Sequence, residues 1–305
     1  MKKLQLFVFF LVVIAWSYLW QIQQEINSVD QEVAGQKFQS GELQMTFLDI
    51  GQGDATLIDF ANGEQMLIDC AIDGRILEAL GRNMSFTDKK IDYLVVTHPD
   101  LDHYGGCVEV MERFDVGEVW YSGIKKEHDT SWQEFWYTVN DGTRVYREID
   151  SAAQFAIAST TVDILYPDHS LVFNSDIPGE KKEANANNTS IVMQVRAGNT
   201  SVLLTGDAEE ELEEYLVRRY GEKLRSHILK MGHHGSASSS IQPFLDMVQP
   251  RDTIASAGFE NKYSHPSTRV LKRFERMETN VWRTDVQGDI VLDIGGGEYT
   301  ITSQF

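Results

Sequence analysis

The feature that most constrains this chain is a cluster of potential metal ligands at the end of an apolar segment. Residues 91–97 are mostly apolar and rich in β-formers, as expected for a buried strand. Four potential ligands follow within six positions, and they are His98, Asp100, Asp102 and His103. A loop that leaves a buried strand can turn several side chains inward. Imidazole and carboxylate suit zinc, manganese or iron, so the cluster predicts a metal centre; a polar turn with a helix cap is the alternative.

Two carboxylates could supply a bridge between two ions. Asp69 and Asp207 each end a separate apolar segment of the chain. A carboxylate in that position can hold two ions about 3.5–4 Å apart. For Asp207 a second interpretation is the N-cap of a helix over 208–220, and the two roles are compatible.

Two later segments also carry histidines. His233 and His234 are adjacent in a glycine-flanked turn after another apolar segment, which is unusual for core residues. We expect one to bind metal and the other to contact the substrate. His265 lies in a polar loop, 261–266, before a predicted helix. A helix N-terminus can hold an anion such as phosphate, although this segment is also compatible with an ordinary turn.

The remaining pattern alternates short strands with helices. Predicted strands cover 43–49, 55–60, 65–69, 91–97, 116–121, 190–196, 200–204, 226–231, 253–257, 290–294 and 299–301. Predicted helices cover 105–114, 130–140, 208–220, 241–248 and 266–277, and 168–188 is predicted to be a loop. Two strand-rich halves with intervening helices predict two sheets packed together, with helices outside.

The first residues differ from the rest of the chain. Lys2 and Lys3 precede an apolar run in residues 1–22, which predicts a membrane anchor with the catalytic domain outside the cytoplasm. A cleaved signal peptide, and hence a secreted protein, is the alternative. Residues 23–41 are predicted to be a polar linker, and 42–305 a hydrolase domain.

Charge and cysteine content limit the possible functions. The net charge of −19 argues against tight non-specific binding to duplex DNA, because an acidic chain repels polyanions. It does not argue against cleavage of a phosphate ester, since bound metal ions add local positive charge. The two cysteines, Cys70 and Cys107, are expected to be small buried side chains. They could form a disulfide if the domain lies outside the cytoplasm.

Taken together, the motifs resemble the metallo-β-lactamase superfamily, and more closely the hydrolase domain of ComEC-type competence proteins. The matching segments are 48–55, 67–69, 97–106, 188–190, 204–207, 232–236 and 261–266. The resemblance extends from about residue 43 to the C-terminus. It implies an α/β (α+β) fold, the αββα four-layer sandwich, with a two-metal centre in the cleft between the sheet edges.

The resemblance also assigns roles to the candidate ligands. It implies His98 and Asp100 for one ion, Asp102, His103 and His234 for the other, and Asp207 as the bridge. His233 is then left near the substrate. With His265, it would contact phosphate or protonate the leaving oxygen, whereas Asp102 would also orient the nucleophile.

Two departures from the usual superfamily pattern, His-x-His-x-Asp-His, affect the metal. Asp100 stands where the second histidine is usual, and Asn188 and Ser190 occupy the region of a later histidine ligand. ComEC-type domains share both departures. An oxygen-richer site favours manganese over zinc, so we expect two divalent ions, zinc or manganese.

The predicted function is a metal-dependent hydrolase, a phosphodiesterase or nuclease acting on DNA or another nucleic acid. ComEC-type proteins usually carry a large membrane channel, whereas this chain has at most one spanning segment, so we expect a free-standing relative of the hydrolase domain. One alternative is hydrolysis of another ester, such as a cell-envelope phosphodiester. A non-enzymatic surface binding module is a third possibility.

Overall fold

Two mixed β-sheets form the centre of the molecule in the computed structural model, which describes residues 16–18, 21, 42–142, 144–179 and 185–304. Within these residues one sheet has eight strands in the order β15-β14-β1-β2-β3-β4-β5-β6, and the other has seven in the order β13-β12-β11-β10-β9-β8-β7. The strands are β1 (Leu43–Phe47), β2 (Thr56–Phe60), β3 (Gln65–Ile68), β4 (Lys90–Val96), β5 (Asp115–Tyr121), β6 (Val145–Glu148), β7 (Ala153–Ile157), β8 (Thr160–Tyr166), β9 (Val192–Ala197), β10 (Thr200–Leu204), β11 (Ile228–Lys230), β12 (Asp252–Ala255), β13 (Asn280–Arg283), β14 (Ile290–Gly295) and β15 (Glu298–Ser303).

Helices cover the outer face of each sheet. The helices between residues 42 and 304 are α1 (Arg75–Asn83), α2 (Leu101–Tyr104), α3 (Cys107–Arg113), α4 (Thr130–Val139), α5 (Glu210–Tyr220), α6 (Gln242–Val248), α7 (Thr268–Arg276) and α8 (Thr284–Gln287). Buried side chains of α1, α3 and α4 pack on the first sheet, and those of α5, α6 and α7 pack on the second. A third apolar core fills the space between the sheets. The predicted αββα sandwich is therefore confirmed.

Each sheet has an antiparallel part and a parallel part. Strands β3 to β6 pair in parallel in the first sheet, and β10 to β13 do so in the second. In parallel sheets the loops that follow the carboxyl ends of the strands are the usual place for a site. This arrangement gathers chain segments that are far apart in sequence.

Several helices begin at residues other than those predicted. The helix predicted over 208–220 begins at Glu210 with Glu209 as its N-cap residue, so the prediction of Asp207 as N-cap was wrong. The helix predicted from Pro266 begins at Thr268 instead, because the Ser267 side chain accepts a hydrogen bond from the Val270 N–H and caps it there. The sequence patterns do not predict α1, β6 to β8 or β13.

The two cysteines form a disulfide, with their Cα atoms 5.2 Å apart. Both are fully buried, as expected, but the preferred expectation of two unpaired side chains was wrong. The reason lies in the fold. The segment after β3 runs beside the segment that connects α2 to α3, and the Cys70 N–H donates to the His103 carbonyl at 2.6 Å.

The predicted anchor and linker lie almost wholly outside the described residues. Among the residues that are described, no helix has the length and apolar character needed to cross a membrane.

Candidate metal centre

The candidate centre lies where loops of both sheets meet. The first sheet contributes the loops after β3 and β4, and the second contributes those after β10 and β11. The local sequence brings these loops close together. A Cβ atom on Gly105 would lie 2.1 Å from the Ile72 carbonyl oxygen, so only glycine permits this approach of the α2–α3 segment to the loop after β3.

Buried polar atoms without a hydrogen-bond partner converge at this place. Among the described residues they include the Nε2 atoms of His98, His103 and His234 and the Oδ1 atom of Asp207. The other Asp207 oxygen lies 3.3 Å from His103 Nε2 and 3.5 Å from His234 Nε2. A buried polar atom without a partner costs about 1–3 kcal/mol, so several of them in one place indicate a binding site for a polar ligand or an ion.

The donor set fits divalent metal ions. Ligand atoms of His98, His103 and Asp207 all lie within 4.8 Å of one another, and so do those of Asp102, His103 and His234. Imidazole nitrogen and carboxylate oxygen are ligands for zinc and manganese. The residues therefore fit divalent ions both in the type of their ligand atoms and in the distances between those atoms.

Each of the three imidazoles is held by its other nitrogen. His103 Nδ1 donates to Asp69 at 2.8 Å, His98 Nδ1 to the Thr97 hydroxyl at 3.1 Å and His234 Nδ1 to the Ser256 carbonyl at 3.0 Å. These bonds fix the ring orientations and leave the Nε2 atoms facing the centre.

The Asp69 carboxylate is held by hydrogen bonds from the protein, including the one from His103. It also accepts hydrogen bonds from the N–H and the hydroxyl of Thr97, both at 2.8 Å. With the bond from His103, both oxygens of the Asp69 carboxylate therefore accept hydrogen bonds from the protein. Asp207, by contrast, has its carboxylate among the unpaired imidazole nitrogens.

The two aspartates of the ligand cluster differ in their surroundings. Asp102 Oδ2 lies 3.4 Å from His234 Nε2, and its side chain is partly exposed. Asp100 pairs with Lys126 and lies 3.6 Å from His98 Nε2, but it does not join a group of three convergent ligands among the described residues. Its assignment as a ligand stays a prediction.

The electrostatics of the centre favour a cation. Burial lowers the pKa of His234, but the carboxylates of Asp207 and Asp54 outweigh burial and raise it to about 10. Burial raises the pKa of Asp207, but the imidazoles of His234 and His103 outweigh burial and hold it well below its ordinary value. The carboxylates are thus ionised and attract positive charge to the nitrogens beside them.

A buried ion pair at the centre was not expected from the sequence. Lys230 and Asp54 are both buried and in direct contact, and Asp54 Oδ1 lies 3.4 Å from His234 Nδ1. Burial raises the pKa of Asp54, but Lys230 and His234 outweigh it and hold the carboxyl ionised. Asp54 belongs to the matched segment 48–55, which was the only sequence signal for it.

His233 and His265 lie on the more open side. His233 Nδ1 bonds to Glu209 at 2.9 Å, while its Nε2 lies 3.8 Å from Asp207. The rings of His233 and His265 are 5.4 Å apart. Burial, with help from the nearby His234 and His233, lowers the pKa of His265 to about 4. Glu209 is a further residue that sequence reasoning missed.

The turn that carries the adjacent histidines is strained. His233 and His234 both have positive φ, at 46° and 54°. A non-glycine residue in this region costs about 1–3 kcal/mol and persists only where its surroundings enforce it. This backbone conformation directs the His234 ring to the centre and the His233 ring to its open side.

Comparisons with known proteins show what this chain is similar to. A profile of the metallo-beta-lactamase superfamily matches residues 48–258. Competence protein ComA of Neisseria gonorrhoeae is 32% identical over 215 residues, which are 68% of this chain and 26% of that protein. ComE operon protein 3 of Bacillus subtilis is 27% identical over 281 residues, which are 82% of this chain and 33% of that protein. The chain thus spans about a quarter to a third of the length of these relatives.

Solved structures show the same fold at low sequence identity. Zn²⁺-bound PqqB from Methylobacterium extorquens is 11% identical with a TM-score of 0.53, covering 82% of this chain and 100% of that one. The metallo-beta-lactamase fold protein YhfI from Bacillus subtilis is 10% identical with a TM-score of 0.52, covering 86% and 100%.

Proposed function

The chain belongs to the metallo-β-lactamase superfamily, and from this premise we propose that it is a phosphodiesterase that cleaves nucleic acid. The observation that carries the proposal is the convergence of unpaired, pre-oriented ligand atoms beside two further histidines on the open side. The competence proteins among its relatives support nucleic acid as the substrate.

We further propose that the centre holds two ions, zinc or manganese, bound by His98, Asp100, Asp102, His103, Asp207 and His234. Such ions would supply charge for the phosphate oxygens and would lower the pKa of an attacking water. The partly exposed Asp102 carboxylate would orient that water. Glu209 fixes the His233 ring, and His233 and His265 then contact the phosphate from the open side.

The location is also a proposal. The buried disulfide supports a domain outside the cytoplasm, because disulfides persist mainly in oxidising compartments. Residues 1–22 would then serve as the membrane anchor or as a signal peptide. Protease digestion of cells stripped of their outer envelope, with the cytoplasmic membrane intact, tests this: a cell-associated domain should be cleaved, and protection until that membrane is lysed would contradict a location outside the cytoplasm.

A substrate panel tests the reaction. The purified chain should cleave single-stranded DNA and bis-p-nitrophenyl phosphate after loading with manganese or zinc, and it should leave a β-lactam intact. His103→Ala should abolish cleavage, whereas His128→Ala changes an exposed histidine outside the centre and should not. Failure to cleave any phosphodiester, including RNA and duplex DNA, would contradict the proposal.

A further inference from the structure

A series of nearly parallel rings leads outward from the candidate centre. The rings of His234 and His265 are 6.3 Å apart and inclined by 28°, and those of His265 and Tyr263 are 5.7 Å apart and inclined by 25°. Along the series the side chains change from buried to exposed, since His234 is 1% exposed and Tyr263 is 54% exposed. The series ends in an aromatic ring that is open to ligands.

The loop that presents Tyr263 is held in one conformation. Asn261 Nδ2 donates to the carbonyls of Gly258 at 2.8 Å and His265 at 2.6 Å. Asn261 Oδ1 accepts from the N–H groups of Tyr263 at 3.2 Å and His265 at 3.0 Å. The Asn261 side chain therefore fixes both ends of the loop. Because the loop is already ordered, ligand binding would lose little conformational entropy there.

A second aromatic and a cation lie in the same loop. Phe259 is 74% exposed, and Lys262 Nζ lies 4.8 Å from the centroid of the Tyr263 ring. Single exposed apolar residues are common on protein surfaces. Two exposed aromatics with a cation, on a fixed loop next to the centre, form a more specific arrangement. The chain as a whole has a net charge of −19, so the positive charge of Lys262 would attract phosphate locally.

Building on the proposed function, we propose that Phe259, Lys262 and Tyr263 form a base-stacking platform for single-stranded nucleic acid. Unpaired bases would stack on the two aromatic rings, while Lys262 would contact the backbone. The phosphate that follows would lie near His265 and the centre. A duplex keeps its bases stacked on each other, so the platform would favour single strands.

Binding by four variants tests the platform separately from cleavage. Fluorescence anisotropy would measure the affinity of the purified chain for a labelled oligothymidylate in calcium, without hydrolysis. Phe259→Ala and Tyr263→Ala should each weaken binding by about 10-fold, and Tyr263→Phe should restore it because the ring is kept. Lys262→Ala should reduce the salt dependence of binding.

Phe86→Ala is the matched control. Phe86 is also exposed and also has a lysine over its ring, Lys89. It precedes β4, whereas the centre follows that strand, which places it roughly 20 Å away along a seven-residue strand. This variant should bind like the original chain.

Three results would overturn the platform. They are unchanged binding in both alanine variants, failure of Tyr263→Phe to restore it, and equal affinity for single strands and a blunt hairpin duplex. Because binding is measured without turnover, absence of all cleavage with intact single-strand binding would contradict the proposed function and leave the platform standing. Cleavage of bis-p-nitrophenyl phosphate without single-strand binding would contradict the platform and leave the phosphodiesterase activity standing.

Discussion

At the scale of single residues, the adjacent histidines differ in what their environment permits. His234 is buried with its Nε2 unpaired at the centre, whereas His233 is partly exposed and bonded to Glu209. His234→Ala should therefore lose metal, and His233→Ala should keep metal while losing activity. Elemental analysis of the purified variants, with kinetics on the same samples, measures both. Equal metal loss in the two variants would contradict this division of roles.

Glu213 gives a prediction about stability and pH. Burial raises its pKa to about 8 from an ordinary 4.5, although the N–H groups of Ile241 and Ser240 act in the opposite direction. The folded state then binds a proton that the unfolded state has released, so the free energy of unfolding falls as pH rises from about 5 to about 8.

Urea denaturation across this range checks the Glu213 prediction. Glu213→Gln cannot ionise, so its stability should vary less with pH between about 5 and 8 than that of the original chain. Parallel pH profiles for the two proteins would show that Glu213 does not titrate there.

The chemistry of these residues was partly predictable from sequence. His98, Asp102 and His103 lie within six positions that follow β4 and enter α2, so their closeness follows from local sequence. The contacts of Asp54 with Lys230 and of Glu209 with His233 depend on how the two sheets pack, and no local pattern contains that information.

At the scale of elements, most strands and helices were predictable because each has a clear apolar period or a bounded apolar run. Strands β6 and β13 were not, since their side chains are largely exposed or intermediate in burial and carry a weak pattern. Helix α5 begins later than predicted because Asp207 turns its side chain to the histidines instead of capping the helix.

The close packing of the α2–α3 segment gives a matched pair of glycine substitutions. Gly105→Ala should destabilise the protein by about 1–3 kcal/mol, because its Cβ atom would lie 2.1 Å from the Ile72 carbonyl oxygen. Gly81→Ala, within α1, should stabilise by about 0.5–1 kcal/mol, because nothing lies within 4 Å of its Cβ position. Chemical denaturation measures both, and equal effects would contradict the packing described.

At the scale of the whole molecule, the disulfide joins the segment after β3 to the start of α3. It closes a loop between residues 37 apart in sequence that contains the ligand cluster. Reduction should lower stability by about 2–4 kcal/mol, mainly by freeing the unfolded chain. Thermal unfolding with and without reductant measures this. The double variant Cys70→Ala with Cys107→Ala should not respond to reductant, and a response would point to another cause.

The central claim is that two halves of one chain build a metal centre for hydrolysis. The most direct test removes metal with a chelator, confirms its loss by elemental analysis, and titrates manganese or zinc back while measuring bis-p-nitrophenyl phosphate cleavage. Activity should disappear with the metal and return as close to two equivalents bind. Full activity in the stripped protein, or no activity in the fully loaded protein, would contradict the claim.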